Sequence, residues 1–365
     1  MKVSKIPGLG QFGVYIDDVD LANISHEEWM EIGNLHMKNL VTILRNVNCT
    51  KERYAELVNK FGDVRVTAVT SRKYKKKYNK DWAWVIHQVE EDSDLIEEDD
   101  KYRIRAAAQI VEQTANGYAL MKVAGGCENG LPKGMFADGE LLWHSNESGT
   151  LTYTPGVALL GHQNMIGSAT GFITTADYYQ DVSDSFRKEL DEMIIQHRFM
   201  PGKINPGAPV DQDRLMNVNM CPVDDIEIPL VIQSPGGIKG MHYSINTVYS
   251  IKGLTLKESH KVFERINKEL FTEKYVYDHW YKTNNDLLFF DNSITLHRRT
   301  GSIEGRLAYR LPHDYTHLQD GAYQPYLQEP FQSRYNNEIR AIVKQLGIKN
   351  FKLPKRSWKE LFSFA

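Results

Sequence analysis

The sequence predicts a mainly β protein with flanking helices, in which short strands build a barrel-like or double-sheet core. Two observations carry this. From about residue 119 to 313 short apolar runs recur between turn signals such as Glu128-Asn129-Gly130 and Ser234-Pro235-Gly236-Gly237. Only two helical patterns interrupt them, near 184–197 and 255–270, so strands outnumber the helices that cover them. With 365 residues, 41% hydrophobic and 25% charged, the chain can bury a sizeable core.

The elements follow in order. Phe12 to Ile16 reads as extended, and Ser25-His26-Glu27-Glu28 forms a capping box that opens a helix through about Lys38. Val41-Thr42-Ile43-Leu44 is a buried strand. A second helix runs from about Lys51 to Phe61, with Gly62 expected as a left-handed C-cap. Residues 64–118 change composition: Arg72, Lys73, Lys75, Lys76, Lys77 and Lys80 precede Glu90, Glu91, Asp92, Asp94, Glu97, Glu98, Asp99 and Asp100. Two blocks of opposite sign predict a charged insertion or lid whose halves partly neutralise each other. The acidic run lacks the glycine and ligand spacing of a calcium loop. Thr255-Leu256-Lys257-Glu258 is a second capping box, and Ser333 to Gln345 reads as a helix within a C-terminal extension, 314–365.

Several functional classes are excluded at this level. Lys+Arg 44 against Asp+Glu 47 gives a net charge of -3, so no basic field exists to hold a nucleic acid. Cys49, Cys127 and Cys221 are scattered and form no CxxC pair, which removes a disulfide framework and a thiolate zinc site. No apolar h-region opens the chain and no run of about 18 apolar residues occurs, so the expectation is a cytoplasmic protein without a membrane partner. Gly8-Leu9-Gly10-Gln11-Phe12-Gly13 is formally GxGxxG, but an extended segment follows where a dinucleotide site needs a helix N-terminus. No GxSxG elbow, P-loop or HExxH is present.

The remaining chemistry lies with histidines and arginines. His144 ends the apolar run Leu141-Leu142-Trp143 and is followed by Asn146 and Glu147. On an extended segment His144 and Asn146 project to one side, whereas Glu147 points away unless a bulge re-aims it. His297 follows the apolar run Leu287 to Phe290 and the polar Asp291-Asn292. Further on, Arg306, Ala308 and Arg310 share one face of a strand. If that face looks inward, the guanidiniums demand anions, and a carboxylate ligand would meet the need; if outward, they are ordinary solubilising charges.

Taken together, Phe61-Gly62-Asp63, Phe136-Ala137-Asp138-Gly139-Glu140-Leu141 leading to Trp143-His144, Asp291-Asn292 leading to His297, and arginines four residues apart resemble the taurine dioxygenase and 2,4-dichlorophenoxyacetate dioxygenase family of iron(II)- and 2-oxoglutarate-dependent oxygenases. The resemblance implies a double-stranded β-helix, or jelly roll, of the clavaminate synthase-like kind, as a single oxygenase domain. It implies Fe(II) as metal, 2-oxoglutarate as co-substrate, dioxygen and a small-molecule substrate as reactants, and homo-oligomers as a common state. By position, His144 and His297 resemble the two histidines of the facial triad. Thr170 and Arg306 resemble the pair that holds the distal 2-oxoglutarate carboxylate, and Arg310 would sit near the metal-bound end of the co-substrate and the primary substrate. The family's His-x-Asp or His-x-Glu becomes His144-Ser145-Asn146 here. That leaves three readings of the third position: Asn146 coordinates through its carbonyl oxygen or stands behind the metal, Glu147 reaches it through a bulge, or the site is impaired or binds a halide. A non-catalytic ligand-binding protein of the same fold is the alternative function. His162, Gln163, Asn164, His242 and Tyr243 are polar candidates near the substrate.

Overall fold

Alternation along single strands sorts the apolar residues of this chain into layers. On Leu287–Asp291, Leu287 and Phe289 join one buried cluster while Leu288 and Phe290 join another. On Gly156–Gln163, Ala158 and Leu160 go with the first cluster and Val157 and Leu159 with the second. Strands buried on both faces imply layers on both sides. The computed structural model describes residues 1–62, 64, 69–137, 139–146, 148, 154–197 and 226–318.

The two principal sheets are those of a jelly roll. The larger has eight strands in the order Lys2–Lys5, Val14–Asp17, Val41–Leu44, Leu287–Asp291, Gly156–Gln163, Leu307–His313, Ala119–Ala124 and Val111–Gln113. All its pairs are antiparallel except Val14–Asp17 with Val41–Leu44, which the helix His26–Asn39 connects as a parallel crossover. The smaller sheet runs Tyr277–Trp280, Ser168–Thr174, Thr295–Gly301, Leu141–His144. Between the sheets lie Val41, Ile43, Val157, Leu159, Phe172, Leu288 and Phe290.

Helices cover the outer faces. Behind the larger sheet, His26–Asn39 and Lys51–Asn59 bury Trp29, Tyr54, Leu57 and Val58 against Phe289, Tyr309 and Leu311. Trp29 stacks on Phe61 at 4.7 Å, and the Tyr54 hydroxyl donates to the Ala158 carbonyl at 2.9 Å, tying helix to sheet. Behind the smaller sheet, the helices Thr175–Asp181, Asp184–Glu192 and Leu256–Leu270 pack Tyr178, Phe186, Leu190, Phe263 and Ile266 around Trp143 and Leu296. Both expected capping boxes form. Ser25 Oγ accepts from Glu28 N at 3.1 Å while Glu28 accepts from Ser25 N, and Thr255 and Glu258 do the same.

Residues 69–109 fold as three helices, Val69–Tyr78, Trp82–Glu90 and Glu98–Gln109. Lys77 bridges Glu97 and Asp100, and Lys101 bridges Asp92 and Glu98, so the opposite charges do pair. These helices also share a small apolar core of Tyr74, Val85, Val89, Ile96 and Ile104, which the density of charge conceals in the sequence.

Two local expectations are corrected. Gly62 does not take a positive φ; the helix ends at Lys60 in the right-handed region. A Cβ at Gly62 would lie 2.2 Å from the Asp314 carbonyl, so close chain approach is what requires glycine there. The pattern near 184–197 is helical only to Glu192, and Ile194–His197 is a strand, because Ile195 pairs with both Ile228 and Ile251 in a third sheet. His197 is therefore a strand residue. The glycine motif at 8–13 is a loop between antiparallel strands, with Gln11 N donating to Asp177 at 2.9 Å. The C-terminal helix at Ser333 to Gln345 and most of 314–365 lie outside the described residues.

Two buried histidines make the fold sensitive to acid. Burial lowers His36 to about 3, with His313 nearby adding to the shift, and burial lowers His313 to about 3. The folded state keeps both neutral while the unfolded chain protonates them below about pH 6.5. Stability is thus fully present above pH 6.5 and is lost as pH falls toward 3, by about 1 kcal/mol per pH unit for each residue. Urea unfolding at pH 7.5, 6 and 5 should show this slope, and His36→Gln should reduce it by one proton's worth; an unchanged slope would refute the assignment.

Candidate active site

The cavity between the sheets is polar at one end because three strands turn polar side chains inward. On Leu307–His313, Tyr309 and Leu311 face the helices, which forces Ala308 and Arg310 inward, and Arg306 just ahead of the strand follows the same parity. On Thr295–Gly301, Leu296 faces outward and His297 inward. Arg299 shares His297's side, whereas Arg298 is held by both oxygens of Asp278 and lies over the Trp143 ring at 4.6 Å.

The edge strand Leu141–His144 departs from regular pairing. His144 stands opposite His297, but Arg299 stands opposite Leu141, so three steps on one strand match two on the other. This bulge places both Leu141 and His144 on the cavity and leaves Leu142 and Trp143 outside. The imidazoles of His144 and His297 come to 4.2 Å between ring centres, a separation that suits two nitrogens in adjacent positions about one ion. His144 Nδ1 lies 2.7 Å from the Leu142 carbonyl, which makes that nitrogen the donor and leaves the Nε2 lone pair for a ligand. Burial, helped by Arg310 and Arg299 and opposed by the Leu142 hydrogen bond, lowers His144 to about 4. Burial, with His144 and Arg310 beside it, holds His297 well below its usual range. Both rings are neutral, as metal ligands must be.

Beyond His144 the chain is clamped. Asn292 accepts from Asn146 N and donates to the carbonyls of Asn146 and Thr154, each at 2.8 Å. Ser145 N donates to Ser244 Oγ at 2.9 Å. Asn292 is itself positioned by the neighbouring Asp291, whose carboxylate accepts from Ser293 N and Ile294 N and turns the chain between Leu287–Asp291 and Thr295–Gly301. Asn146 lines the cavity, and its Nδ2 has no hydrogen-bond partner among the described residues.

At the other side of the cavity, Thr170 Oγ1 lies 2.9 Å from the Tyr281 hydroxyl, and the Arg306 guanidinium lies 5.8 Å from the centre of the Tyr281 ring. Arg306 is 1% exposed, and its Nε and Nη1 have no hydrogen-bond partner among the described residues. A buried guanidinium in that state is built for an anion with two oxygens. Burial lowers its pKa without neutralising it. Arg310 also lines the cavity, with Nη1 3.4 Å from Met121 Sδ. Val157, Leu159 and Phe290 form an apolar wall.

His144, Asn146, Thr170, His297, Arg306 and Arg310 thus line one cavity, and Glu147 lies outside the described residues. The donor set fits a divalent metal at the imidazole end, with an amide and no described carboxylate beside it, and it fits a dicarboxylate whose far end meets Arg306 and Thr170. His162, Gln163 and Asn164 are exposed and do not line the cavity. His242 and Tyr243 are buried behind it, with His242 Nε2 3.0 Å from Ser148 Oγ. Sequence reasoning left out Arg299, which donates to the carbonyls of Phe136 and Gly139 at 2.7 Å each; its i+2 spacing from His297 was the available signal. Tyr281 had no such signal, because it meets Thr170 from a strand end 111 residues away.

Residues 3–311 match the family described as taurine catabolism dioxygenase TauD, TfdA family. Among solved structures, the chain resembles a taurine dioxygenase from Burkholderia xenovorans with a TM-score of 0.57 and 16% identity over 91% of this chain and 98% of that one. It also resembles AAD-2 in complex with Mn(II) and N-oxalylglycine, with a TM-score of 0.55 and 17% identity over 86% of this chain and 97% of that one. No curated protein matches the sequence.

The Asn292 clamp yields a direct expectation. Asn292→Ala removes three buried hydrogen bonds and leaves the Asn146 amide and two carbonyls unsatisfied, at a cost of about 2–4 kcal/mol. Denaturant unfolding should register that loss, and amide exchange at Asn146 should accelerate; protection equal to wild type would show that the clamp does not hold this segment.

Proposed function

Because the chain belongs to the taurine catabolism dioxygenase TauD, TfdA family, we propose that it is an iron(II)- and 2-oxoglutarate-dependent dioxygenase that hydroxylates a small organic substrate. The overall change would be substrate C–H plus dioxygen and 2-oxoglutarate to C–OH, succinate and carbon dioxide. The observation that carries this reading is a buried cavity with two neutral imidazoles at one end and, at the other, the buried Arg306 guanidinium, whose Nε and Nη1 have no hydrogen-bond partner among the described residues.

His144 and His297 would hold the iron, with Asn146 beside them. When bound, the metal supplies dioxygen activation coupled to decarboxylation of the keto acid. Arg306 and Thr170 would bind the distal carboxylate of 2-oxoglutarate, a bidentate charge-assisted contact that orients the molecule along the cavity. Arg310, nearer the imidazoles, would meet the other end of the co-substrate or an acidic group of the primary substrate. The apolar wall of Val157, Leu159 and Phe290 excludes water from the reacting carbon. Burial keeps both imidazoles unprotonated, so protons do not compete with the metal near neutral pH.

An anaerobic titration with iron(II) and 2-oxoglutarate should produce the weak visible absorption of a chelated keto acid in the wild type. His144→Ala should abolish it, and Arg306→Gln should require about 30-fold more 2-oxoglutarate, since a charge-assisted pair contributes about 2 kcal/mol. In air, with a substrate, succinate should accumulate. No absorption and no succinate would sink the proposal, whereas absorption with no succinate across a broad substrate panel would mark a ligand-binding protein of this fold.

A further inference from the structure

A second cleft opens on the outer side of the strand Leu141–His144, away from the imidazole cavity. Leu142 and Trp143, which the bulge leaves outside, form one wall, and the helix Leu256–Leu270 forms another. On that helix His260, Phe263, Glu264 and Asn267 recur at the spacing of one face. The cleft and the imidazole cavity share no described lining residue. The cleft encloses about 500 Å³, within the range of roughly 300–1,000 Å³ that small-molecule sites occupy.

Its floor is apolar and aromatic. Tyr243, Phe263 and Val248 are buried within it, whereas Leu142 on the rim is 39% exposed. Trp143 is pinned, stacked on Phe271 at 6.1 Å and carrying the Arg298 guanidinium over its ring at 4.6 Å. The Tyr243 hydroxyl is already satisfied, because it donates to Asn267 Oδ1 at 2.8 Å. Charge enters at one place only. Glu264 is the one carboxylate on the described lining, and no lysine or arginine lines the cleft with it. Arg265 beside it is engaged by Glu269 at 3.1 Å, and Glu264 forms no ion pair among the described residues, with Lys261 and Lys268 one turn away included.

An aromatic recess with a single carboxylate at its edge selects by charge. Aromatic faces attract an ammonium group through the ring quadrupole, and a carboxylate pairs with it; both repel an anion. We propose that this cleft binds a small organic ammonium compound, its apolar body lodged against Phe263 and Trp143 and its cationic group paired with Glu264. Burial of the apolar body supplies affinity, and the ion pair sets orientation and selectivity. The ligand rests against Trp143, the residue before His144, on the face of the strand opposite the imidazoles.

The test is equilibrium dialysis of the full chain at low salt against three probes of similar shape and different charge: 2-phenylethylamine, 2-phenylethanol and 3-phenylpropanoate. The wild type should bind the amine about fivefold more tightly than the alcohol, the size expected of a partly exposed ion pair, and the acid most weakly. Glu264→Gln, a change at an exposed helix position, should bring the amine down to the affinity of the alcohol and leave the alcohol unmoved. Leu142→Arg, which sets a like charge on the rim, should weaken the amine more than the alcohol. No binding of any probe would overturn the proposal, as would an amine bound no more tightly than the alcohol or the acid. Amine affinity unchanged in Glu264→Gln or in Leu142→Arg would place the amine elsewhere on the protein and would overturn it equally.

Discussion

Burying guanidinium groups inside a β core is the constraint on which this structure turns. Arg306 and Arg310 could have been surface charges, and the strand that carries them would then present Tyr309 and Leu311 to the interior. The helices His26–Asn39 and Lys51–Asn59 prevent that, because their apolar faces claim Tyr309 and Leu311 for the outer layer. Period-two geometry then sends the arginines inward. The outer core thereby sets the polarity of the inner one, and a cavity lined by guanidinium groups is the result.

The imidazole end of the cavity is built by a different device. The imidazoles sit on neighbouring antiparallel strands, so backbone hydrogen bonding fixes their separation more firmly than a loop could. A bulge in Leu141–His144 directs His144 inward while Trp143 stays in the outer cluster under Phe271. Beyond His144, side chains hold the described residues in place: Asn292, Ser244 and His242 hold Asn146, Ser145 and Ser148 respectively. Rigid strands thus carry the histidines, and a clamped segment carries the residue that differs in charge from the family pattern.

Much of the architecture was legible in the residues. The strand-rich stretch, the two capping boxes and the shared strand face of Arg306 and Arg310 follow from local patterns that depend on a few neighbours only, whereas the direction of that face was left open until the helices behind the sheet settled it. The strand at Ile194–His197 did not, because its pairing partners lie more than thirty residues away and outweigh the helical pattern before it. Gly62 was legible as a glycine that matters but not for the right reason, since Asp314 approaches it from a distant part of the chain. The small core beneath the charges of 69–109 was hidden because ionic residues dominate its composition while a few spaced apolar ones decide its packing.

By itself the sequence determined which residues could do chemistry and which of them share a face, because side-chain type and strand period are local properties. The tertiary structure alone decided that His144 and His297 meet ring to ring, that Arg306 is buried beside Tyr281, and that Asn146 is held at the cavity wall. Those facts depend on sheet register, a bulge and a hydrogen-bond clamp between residues some 150 positions apart. Contacts of that kind are set by the packing of whole layers, which no short stretch of residues encodes.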